Sequence, residues 1–507
     1  MDKSLSKPPS VADADAVDLL VVGGGVNGCG IARDAAGRGM SVTLCEMGDL
    51  AGATSSASTK LIHGGLRYLE YYEFRLVRES LAERGVLLAS APHTIYPLRF
   101  VLPHHSGLRP MWLLRLGLFL YDHIGGRRSL PGTRTLDLAH RPEGAPLKRA
   151  FKRGFAYSDA WTDDSRMVTL AALDAAERGA RILTRTRLLD ARREGDLWRA
   201  TLQHADGRQE TLSARALVNA AGPWVEQVGR LLGANRPGRS VKLVKGSHIV
   251  LPSLYEGDHA YTLQGADGRV IFTIPYEGRY TLVGTTDLPL EGEPGPVGAS
   301  PDEVAYLCKA LGDYFSREVT PDQVVWTYAG VRPLHDDGQE NASKVTRDYV
   351  LDLDAPDGSA PLLTVYGGKI TTFRKLAEHA LGLLGPRLGV VAPAWTRAAK
   401  LPGGELPQGF DTFRSEMGSR HPWIGEPSLT RLCRAYGARL PHVLKDAASW
   451  ADMGEAFGAG LTARETAYLK RVEWAKTPED VLWRRTKLGL HLTQAERDAF
   501  ASSFAEL

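Results

Sequence analysis

Gly23, Gly25 and Gly28 stand in the spacing G-x-G-x-x-G, with Glu46 downstream, a set of residues suited to holding a dinucleotide. Gly23 permits a tight turn, Gly25 lets the backbone approach a pyrophosphate, and Gly28 lets the next helix pack close. Val26 and Asn27 fall at the start of that helix, where free N–H groups and the dipole favour negative charge. Glu46 is placed to accept a hydrogen bond from the adenosine ribose, and a carboxylate there disfavours the 2′-phosphate of NADP. The motif alone does not separate NAD from FAD. Other residues could do chemistry beside such a cofactor. His63 and Arg67 flank the pair Gly64-Gly65 in LIHGGLRY, His248 lies in KGSHI, Arg332 in WTYAGVRPL and Lys369 in YGGKITTF. A histidine titrates near working pH and can take a proton, while arginine and lysine bind anions.

The elements that must position these residues are legible in outline. Residues 19–22 are a buried parallel strand, the glycine turn opens a helix, and residues 41–45 form the second strand ending at Glu46. Residues 53–59 are a hydroxyl-rich loop in which Thr54, Ser55, Ser56 and Ser58 are candidates to touch the cofactor. Residues 70–89 have helical character, and helical residues 169–178 lead to strands at 180–184, 198–203 and 216–218. Residues 270–284 read as a hairpin turning at Glu277-Gly278, and strands 349–353 and 362–366 bracket Asp-Ala-Pro-Asp-Gly. Residues 401–409, LPGGELPQG, read as a linker. Beyond it, Thr462 with Glu465 and Thr493 with Glu496 are capping boxes, and Thr477-Pro478-Glu479 is another helix start. No internal repeat is visible.

Composition bounds the class. The 507 residues are 43% hydrophobic and 24% charged, ordinary for a globular protein. Cys29, Cys45, Cys308 and Cys433 are far apart and form no C-x-x-C, which indicates neither a zinc site nor a disulfide framework and fits a reducing compartment. No metal ligand set is predicted. Residues 1–17 are polar and read as a disordered tail rather than a signal peptide. No run of about 20 apolar residues predicts a transmembrane span. Charge is uneven: residues 99–153 hold eleven Lys/Arg against three Asp/Glu, net +8, within a chain whose total is +3. That stretch contains LRPMWLLRLGLFLY and GGRR. Pro110 suits a first helical turn, and Trp112, Leu113, Leu114, Leu116, Phe119 and Leu120 spread over a wide apolar arc, with Arg115 and Asp122 on a narrow polar stripe. A short apolar helix beside basic residues suits a membrane interface, and also suits a buried helix with a solvated basic loop. No nucleic-acid motif is present.

Three later segments look like further pieces of one flavin site. LVNAAGPW is a strand ending in small residues, Ala221 and Gly222, that let backbone approach a cofactor. WTYAGVRPL repeats the pattern with a cation inserted. YGGKITTFRKLAE runs from a strand through Gly368, Lys369 and Thr371 into a helix whose start can aim N–H groups at a flavin pyrimidine.

With these in place the chain resembles the FAD-dependent glycerol-3-phosphate dehydrogenases that work aerobically at the membrane. The resemblance rests on GGGVNGCGIARDAAGRG, ATSSASTKLIHGGLRYLEYYEFRLVRESL, GFAYSDAWTDDSRM, LVNAAGPWV, KGSHIV, LVGTTD, WTYAGVRPL and YGGKITTFRKLAEHAL, and continues through LPGG and DVLWRRTKLGL. These run in family order along nearly the whole chain. The resemblance implies an α/β fold: a glutathione-reductase-like FAD-binding Rossmann domain, an antiparallel-sheet substrate domain and a C-terminal helical domain. It implies an oxidoreductase core over residues 18–395, with FAD segments near 18–98, 154–240 and 325–385. Substrate and membrane-proximal segments lie near 99–153 and 241–324, and the helical domain covers 400–507. The implied reaction oxidises sn-glycerol 3-phosphate to dihydroxyacetone phosphate, with electrons passing through FAD to a membrane quinone. The implied place is the inner face of the cell membrane, held peripherally from the cytoplasm, and a homodimer is compatible.

For that chemistry Arg67, Arg332 and Lys369 are assigned to the substrate end, Arg67 mainly to phosphate and Arg332 nearer the reacting oxygen. Thr372, Thr285 and Thr286 are candidate hydroxyl contacts. Gly64, Gly65 and Leu66 bring backbone beside the flavin ring. His63 and His248 are both candidates for the proton, and Arg332 could instead stabilise the developing alkoxide. Asp159 and Asp163 have no role assignable from sequence. Three competing readings remain: a glycerol-phosphate oxidase using oxygen, an FAD-dependent amino-acid oxidase, and a noncatalytic flavin-bound membrane adaptor.

Overall fold

The computed structural model describes residues 15–126, 130–234, 239–265, 267–336 and 348–507, without the side chains of Arg67 and Tyr71. Most of the expected tail, and Arg127 and Arg128 of the basic segment, lie outside the described residues. Val17 already opens the first strand, Val17–Val22, one residue before the expected start of the core at 18.

Two sheets organise the molecule. In the first, strands run in the order Tyr349–Asp354, Leu362–Gly367, Gln209–Asn219, Val17–Val22, Val42–Cys45 and Arg181–Leu183. All neighbours but the first pair are parallel. Leu19, Leu20 and Val21 are fully buried, which is why the strand reads as a continuous apolar run. Helices Val26–Gly37, Asp164–Glu177 and Phe373–Leu388 share one apolar core with this sheet. A strand not anticipated from sequence, Arg187–Glu194, pairs with Leu197–Gln203. Its alternation is masked by charge, RLLDARRE, on a half-exposed ribbon.

The second sheet has ten strands and is mostly antiparallel. The long strand Val241–Pro252 pairs on one side with Trp326–His335 and on the other with Tyr280–Gly284. The hairpin Val270–Tyr276 to Tyr280–Gly284 turns as expected at Glu277 and Gly278, both at positive φ. Helix Pro301–Tyr314 packs against this sheet around Leu307 and Leu311. Elsewhere the expected helices shift to Phe74–Ser90 and Asp164–Glu177. The first shortens because Leu66–Tyr71 tightens into a 3₁₀ turn ending at Tyr72 in the left-handed region.

The C-terminal helices enclose their own core around Leu432, Tyr436, Val443, Leu469, Val481 and Phe500. Thr462 and Thr493 accept from Glu465 N and Glu496 N, but of the two predicted capping boxes only that of Thr493 is complete, because the Glu465 carboxylate pairs with Arg431 instead. After Thr477-Pro478-Glu479 the chain forms a π-type turn, Asp480–Arg485, instead of a regular helix. That widened turn directs Arg484 and Arg485 at one carboxylate in the loop that follows strand Val42–Cys45. Asp49 accepts from Arg485 Nη1 and Nη2 at 2.8 Å and from Arg484 Nε at 2.5 Å. Arg166 pairs with Glu473, and Lys487 reaches Asp163 at 3.2 Å. The segment read as a linker is not loose. Leu401 is buried, and a Cβ on Gly403 or Gly404 would lie 2.3 Å from Tyr436 O or 2.2 Å from Ser90 O.

Breaking one side of such a buried pair strands the other charge. An Asp49→Ala variant is expected to lose about 3–5 kcal/mol of stability. Urea unfolding checks this, and an unchanged midpoint would mean that the contact is not holding the helical unit in place.

His93 adds a pH dependence at the same junction. It is fully buried, neither ring nitrogen has a hydrogen-bond partner among the described residues, and burial, then Arg166 and Arg434, lowers its pKa from 6.5 to about 3. Between these values the unfolded chain binds a proton that the folded chain does not, so stability falls as pH drops through about 6.5. Between about pH 7.5 and about pH 5.5 this group alone costs about 1.4 kcal/mol. His93→Phe is expected to reduce the pH dependence of the urea midpoint by that amount.

Candidate active site

The nucleotide cradle is built from close backbone contacts. Gly23 has φ +113°, and a Cβ there would meet Ala220 O at 2.5 Å, while one on Gly28 would meet Gly23 O at 1.9 Å. The helix beginning at Val26 offers Val26 N to Ser55 Oγ at 3.0 Å, which brings the hydroxyl loop over the helix start. Thr54 Oγ1 donates to Val331 O, Ser56 Oγ to Ala53 O and Ser58 Oγ to Asp164 at 2.8 Å. Glu46 accepts from Gly24 N and Gly48 N, both at 2.7 Å, at the end of the second strand. Burial raises its pKa, and the two N–H bonds oppose that.

These pieces converge although they are distant in sequence. Asn27 Nδ2 donates to Gly367 O at 3.1 Å, and Gly367 and Gly368 both hold positive φ as the chain turns toward Lys369. Ala221 N donates to Asn219 Oδ1, where strand Gln209–Asn219 ends beside the glycine turn. Asn27 Oδ1 is buried with no hydrogen-bond partner among the described residues. An orphaned acceptor beside a helix N-terminus and a cradle that side chains would fill both fit a bound FAD.

The loop carrying His63 is fixed from three sides. Thr371 Oγ1 lies 3.3 Å from His63 N and 3.4 Å from His63 O, tying the loop to the start of the last core helix. Gly65 N donates to His63 Nδ1 at 3.1 Å. Gly64 N donates to Tyr121 Oη at 2.7 Å, and Tyr121 in turn donates to Asp159, which pairs with Arg84 at 2.6 Å. Asp159 thereby gains a role that the sequence did not supply. Leu66 and Arg67 begin the following turn, and the Arg67 side chain lies outside the described residues. Lys369 Nζ sits 4.1 Å over the Tyr68 ring. Thr372 is buried at the helix start.

His248 and Arg332 face the same side of the second sheet. Across the strands Phe272 pairs with Gly284, Gly284 with His248, and His248 with Tyr328, one continuous row. His63 packs at the Phe272 end, its ring centroid 6.2 Å away, so the row brings both histidines to one face. The His248 ring stacks on Tyr328 at 4.6 Å, and Nε2 lies 3.0 Å from Thr59 Oγ1. Glycines make the floor. A Cβ on Gly284 would strike His248 Cδ2 at 2.0 Å, and one on Gly246 would strike Arg332 Nη2 at 2.4 Å. Gly246 pairs directly with Gly330. The glycines of KGSH and VGTTD are therefore the space in which the guanidinium and imidazole lie, while that of YAGVR makes room for Ala57 of the hydroxyl loop.

Arg332 is held by Asp287 Oδ1 at 2.6 Å and by Thr285 Oγ1 at 2.9 Å. Thr286 faces the other way, donating to Glu303 at 2.8 Å, and Ser247 does the same. Glu303 also pairs with Lys245 at 2.7 Å and caps helix Pro301–Tyr314. Those bonds outweigh its burial and hold its pKa down at about 2. Burial, followed by the nearby Arg332 and Lys60, pushes the His248 pKa well below 6.5, so its ring is neutral at working pH. Lys60 reaches Asp164 at 2.7 Å beside Tyr328, a buried pair that sequence reasoning missed because its two residues stand in separate motifs far apart along the chain. Asp287 was in view within LVGTTD, but only the fold reveals its partner.

Comparison with known proteins finds relatives along nearly the whole chain. Residues 18–374 match the family described as FAD dependent oxidoreductase, and residues 394–505 match the C-terminal domain of alpha-glycerophosphate oxidase. The chain is 52% identical to a D-erythritol 1-phosphate dehydrogenase of Brucella abortus, covering 97% of this chain and 99% of that one. It is 50% identical to a glycerol-3-phosphate dehydrogenase of Pseudomonas aeruginosa, covering 97% and 96%. Among solved structures, the glycerol-3-phosphate dehydrogenase from Bacillus halodurans complexed with FAD is similar at a TM-score of 0.74. It is 27% identical over 97% of this chain and 94% of that one.

Proposed function

Because the chain belongs to the family of FAD-dependent glycerol-3-phosphate dehydrogenases, we propose that it oxidises the C2 hydroxyl of sn-glycerol 3-phosphate to give dihydroxyacetone phosphate, with the electrons passed to a membrane quinone. The observation that carries this reading is the glycine-floored sheet face that sets Arg332 and His248 against the nucleotide cradle. FAD, when bound, supplies the acceptor for the hydride leaving C2.

The protein's own groups divide the remaining work. Arg332, steered by Asp287 and Thr285, stabilises the oxygen of C2 as its proton leaves. His63 Nδ1 accepts from Gly65 N, so a neutral His63 carries its proton on Nε2 and acts as a donor rather than a base. His248 is neutral, and in the tautomer that carries its proton on Nδ1 its Nε2, 3.0 Å from Thr59 Oγ1, is the proton acceptor. Lys369 and Arg67 take the phosphate, with Thr372 beside them. Gly23, Gly25, Val26, Asn27, Gly28 and Glu46 would hold the nucleotide part of the cofactor, with Thr54, Ser55, Ser56 and Ser58 beside them, and Gly64, Gly65, Leu66, Ala221, Gly222, Gly368 and Thr371 would hold its flavin part. The same reading divides the chain into an oxidoreductase core, 18–395, and a helical domain, 400–507.

Anaerobic mixing of the purified protein with sn-glycerol 3-phosphate, followed by visible flavin absorbance, tests the reaction. Bleaching by this substrate, and not by glycerol or amino acids, is expected. No bleaching in a protein shown to contain FAD would overturn it. Turnover with a soluble quinone analogue should exceed turnover with oxygen. The Brucella abortus relative supports a second reading, in which a four-carbon polyol phosphate is preferred. Faster bleaching by D-erythritol 1-phosphate than by sn-glycerol 3-phosphate would establish it.

Membrane attachment is assigned to helix Met111–Ile124. No helix among the described residues is long and apolar enough to cross a membrane. This helix buries Leu118 and Tyr121 but leaves Trp112 69% and Phe119 56% exposed, with Leu116 and Leu120 beside them. Such a face, next to basic residues, suits an anionic lipid surface. Replacing Trp112 and Phe119 with serine is expected to weaken liposome co-sedimentation at low salt about tenfold or more. Undiminished binding would move the anchor elsewhere.

A further inference from the structure

A second cleft, of about 790 Å³, opens where the C-terminal helices meet the main body. None of the residues assigned above to cofactor or substrate lines it. Its walls include Tyr96 and Trp161 of the second sheet, Arg279 at the hairpin tip, and Arg431 and Arg434 of helix Ser428–Tyr436. The volume is in the range of about 300–1,000 Å³ usual for small-molecule sites.

The cations of this wall differ in one respect. Arg431 forms a forked pair with Glu465 at 2.7 and 2.9 Å, Arg166 pairs with Glu473, and Arg485 with Asp49. Arg434 has no ion pair among the described residues. Its Nη1 donates to the carbonyls of Pro92 and His93 at 3.2 and 3.4 Å, and its guanidinium lies 4.2 Å over Tyr96 and 3.5 Å over Phe410. Burial lowers its pKa, opposed by Tyr96 and Asp411. Arg279 is exposed and likewise makes no ion pair among the described residues. The Tyr96 hydroxyl makes no hydrogen bond among them either. The wall's carboxylates are engaged: Asp163 by Lys487, Glu426 by Arg414, and Glu277 faces His491 at 3.9 Å. What remains unsatisfied is donors beside aromatic rings, and a half-desolvated guanidinium without a counter-ion favours an anionic oxygen.

We propose that this cleft binds a phosphate ester with a planar body, of nucleoside monophosphate size, its phosphate on Arg434 and Arg279 and its planar part against Tyr96 and Trp161. Occupancy reaches the catalytic face by two routes. The hairpin whose tip lines the cleft carries Phe272 and Gly284 in the row of His248. Asp163 precedes Asp164, which holds Ser58 and Lys60. A ligand here therefore changes turnover without competing with substrate. That kinetic effect rests on the reaction proposed above, whereas the binding itself does not.

The test is calorimetric titration of the FAD-loaded full-length protein with adenosine 5′-monophosphate, in saturating dihydroxyacetone phosphate so that the substrate end is filled. One site is expected, weakened about tenfold or more by Arg279→Glu and by Arg434→Gln. Adenosine and inorganic phosphate should each bind more weakly than the nucleotide. Arg279→Glu, at an exposed hairpin tip, should fold and turn over sn-glycerol 3-phosphate normally, which keeps the test decisive if Arg434→Gln does not fold. Absence of binding at millimolar concentration would overturn the proposal. So would equal binding of adenosine, or affinity unchanged in Arg279→Glu. A shift in turnover lost in Arg279→Glu would support the coupling, and binding with no shift would overturn the coupling alone.

Discussion

An Arg332→Ala variant is expected to keep its FAD and lose about three orders of magnitude in the rate of flavin reduction by sn-glycerol 3-phosphate. One cation about 4 Å from a developing negative charge contributes about 4 kcal/mol at an effective dielectric of about 20, before desolvation. Each decade of rate corresponds to about 1.4 kcal/mol. Arg332 realises that value because its position is over-determined. Asp287 and Thr285 hold the guanidinium from one side, and Gly246 leaves the room in which it lies. Arg332→Lys keeps the charge but not the fork, and should recover only part of the loss. Asp287→Asn should lose about tenfold while substrate binding changes less, because the arginine remains but is no longer steered. Stopped-flow reduction under anaerobic conditions measures all three. Wild-type reduction by Arg332→Ala would remove this residue from the reacting oxygen and turn attention to Lys369.

His248→Asn is expected to slow the same step by about 10²–10⁴-fold, the usual contribution of a positioned base. The matching His63 substitution should cost less, since a donor to an anion is easier to replace than a proton acceptor. The pH dependence separates the two. Burial and the charges of Arg332 and Lys60 keep His248 neutral well below 6.5. The wild-type reduction rate should therefore stay flat between about pH 6 and about pH 8, and fall only in more acid solution. A change of rate between those values that disappears in a His63 variant would assign the proton to His63 instead.

Helix Met111–Ile124 occupies two places in this account. Its outer face is the proposed lipid contact, and its inner face sends Tyr121 to the amide of Gly64 in the His63 loop. A periodicity argument found the apolar arc, but it could not divide that arc into core and surface. Only the position of Leu81 and Asp159 decides that Leu118 and Tyr121 turn inward while Trp112 and Phe119 stay outside.

The amino-acid sequence by itself determined the parts whose cause is local. The glycine spacing before Val26, the strand of Val17–Val22, the Thr caps at 462 and 493, and the turn at Glu277-Gly278 all follow from φ requirements, burial on both faces and short-range hydrogen bonds. The resemblance carried by its motifs gave the family and the cofactor. The tertiary structure decided what depends on partners far along the chain. It joined Asp287 to Arg332, Thr59 to His248 and Thr371 to His63. It also turned an apparent linker at 401–409 into a packed junction and drew Asp49 to Arg484 and Arg485. Local propensity acts over a few residues, whereas an ion pair or a glycine floor exists only once the fold has brought two remote segments within hydrogen-bond reach. That is why the cations and histidines could be read as candidates, and why the orientation that gives each one its role could not.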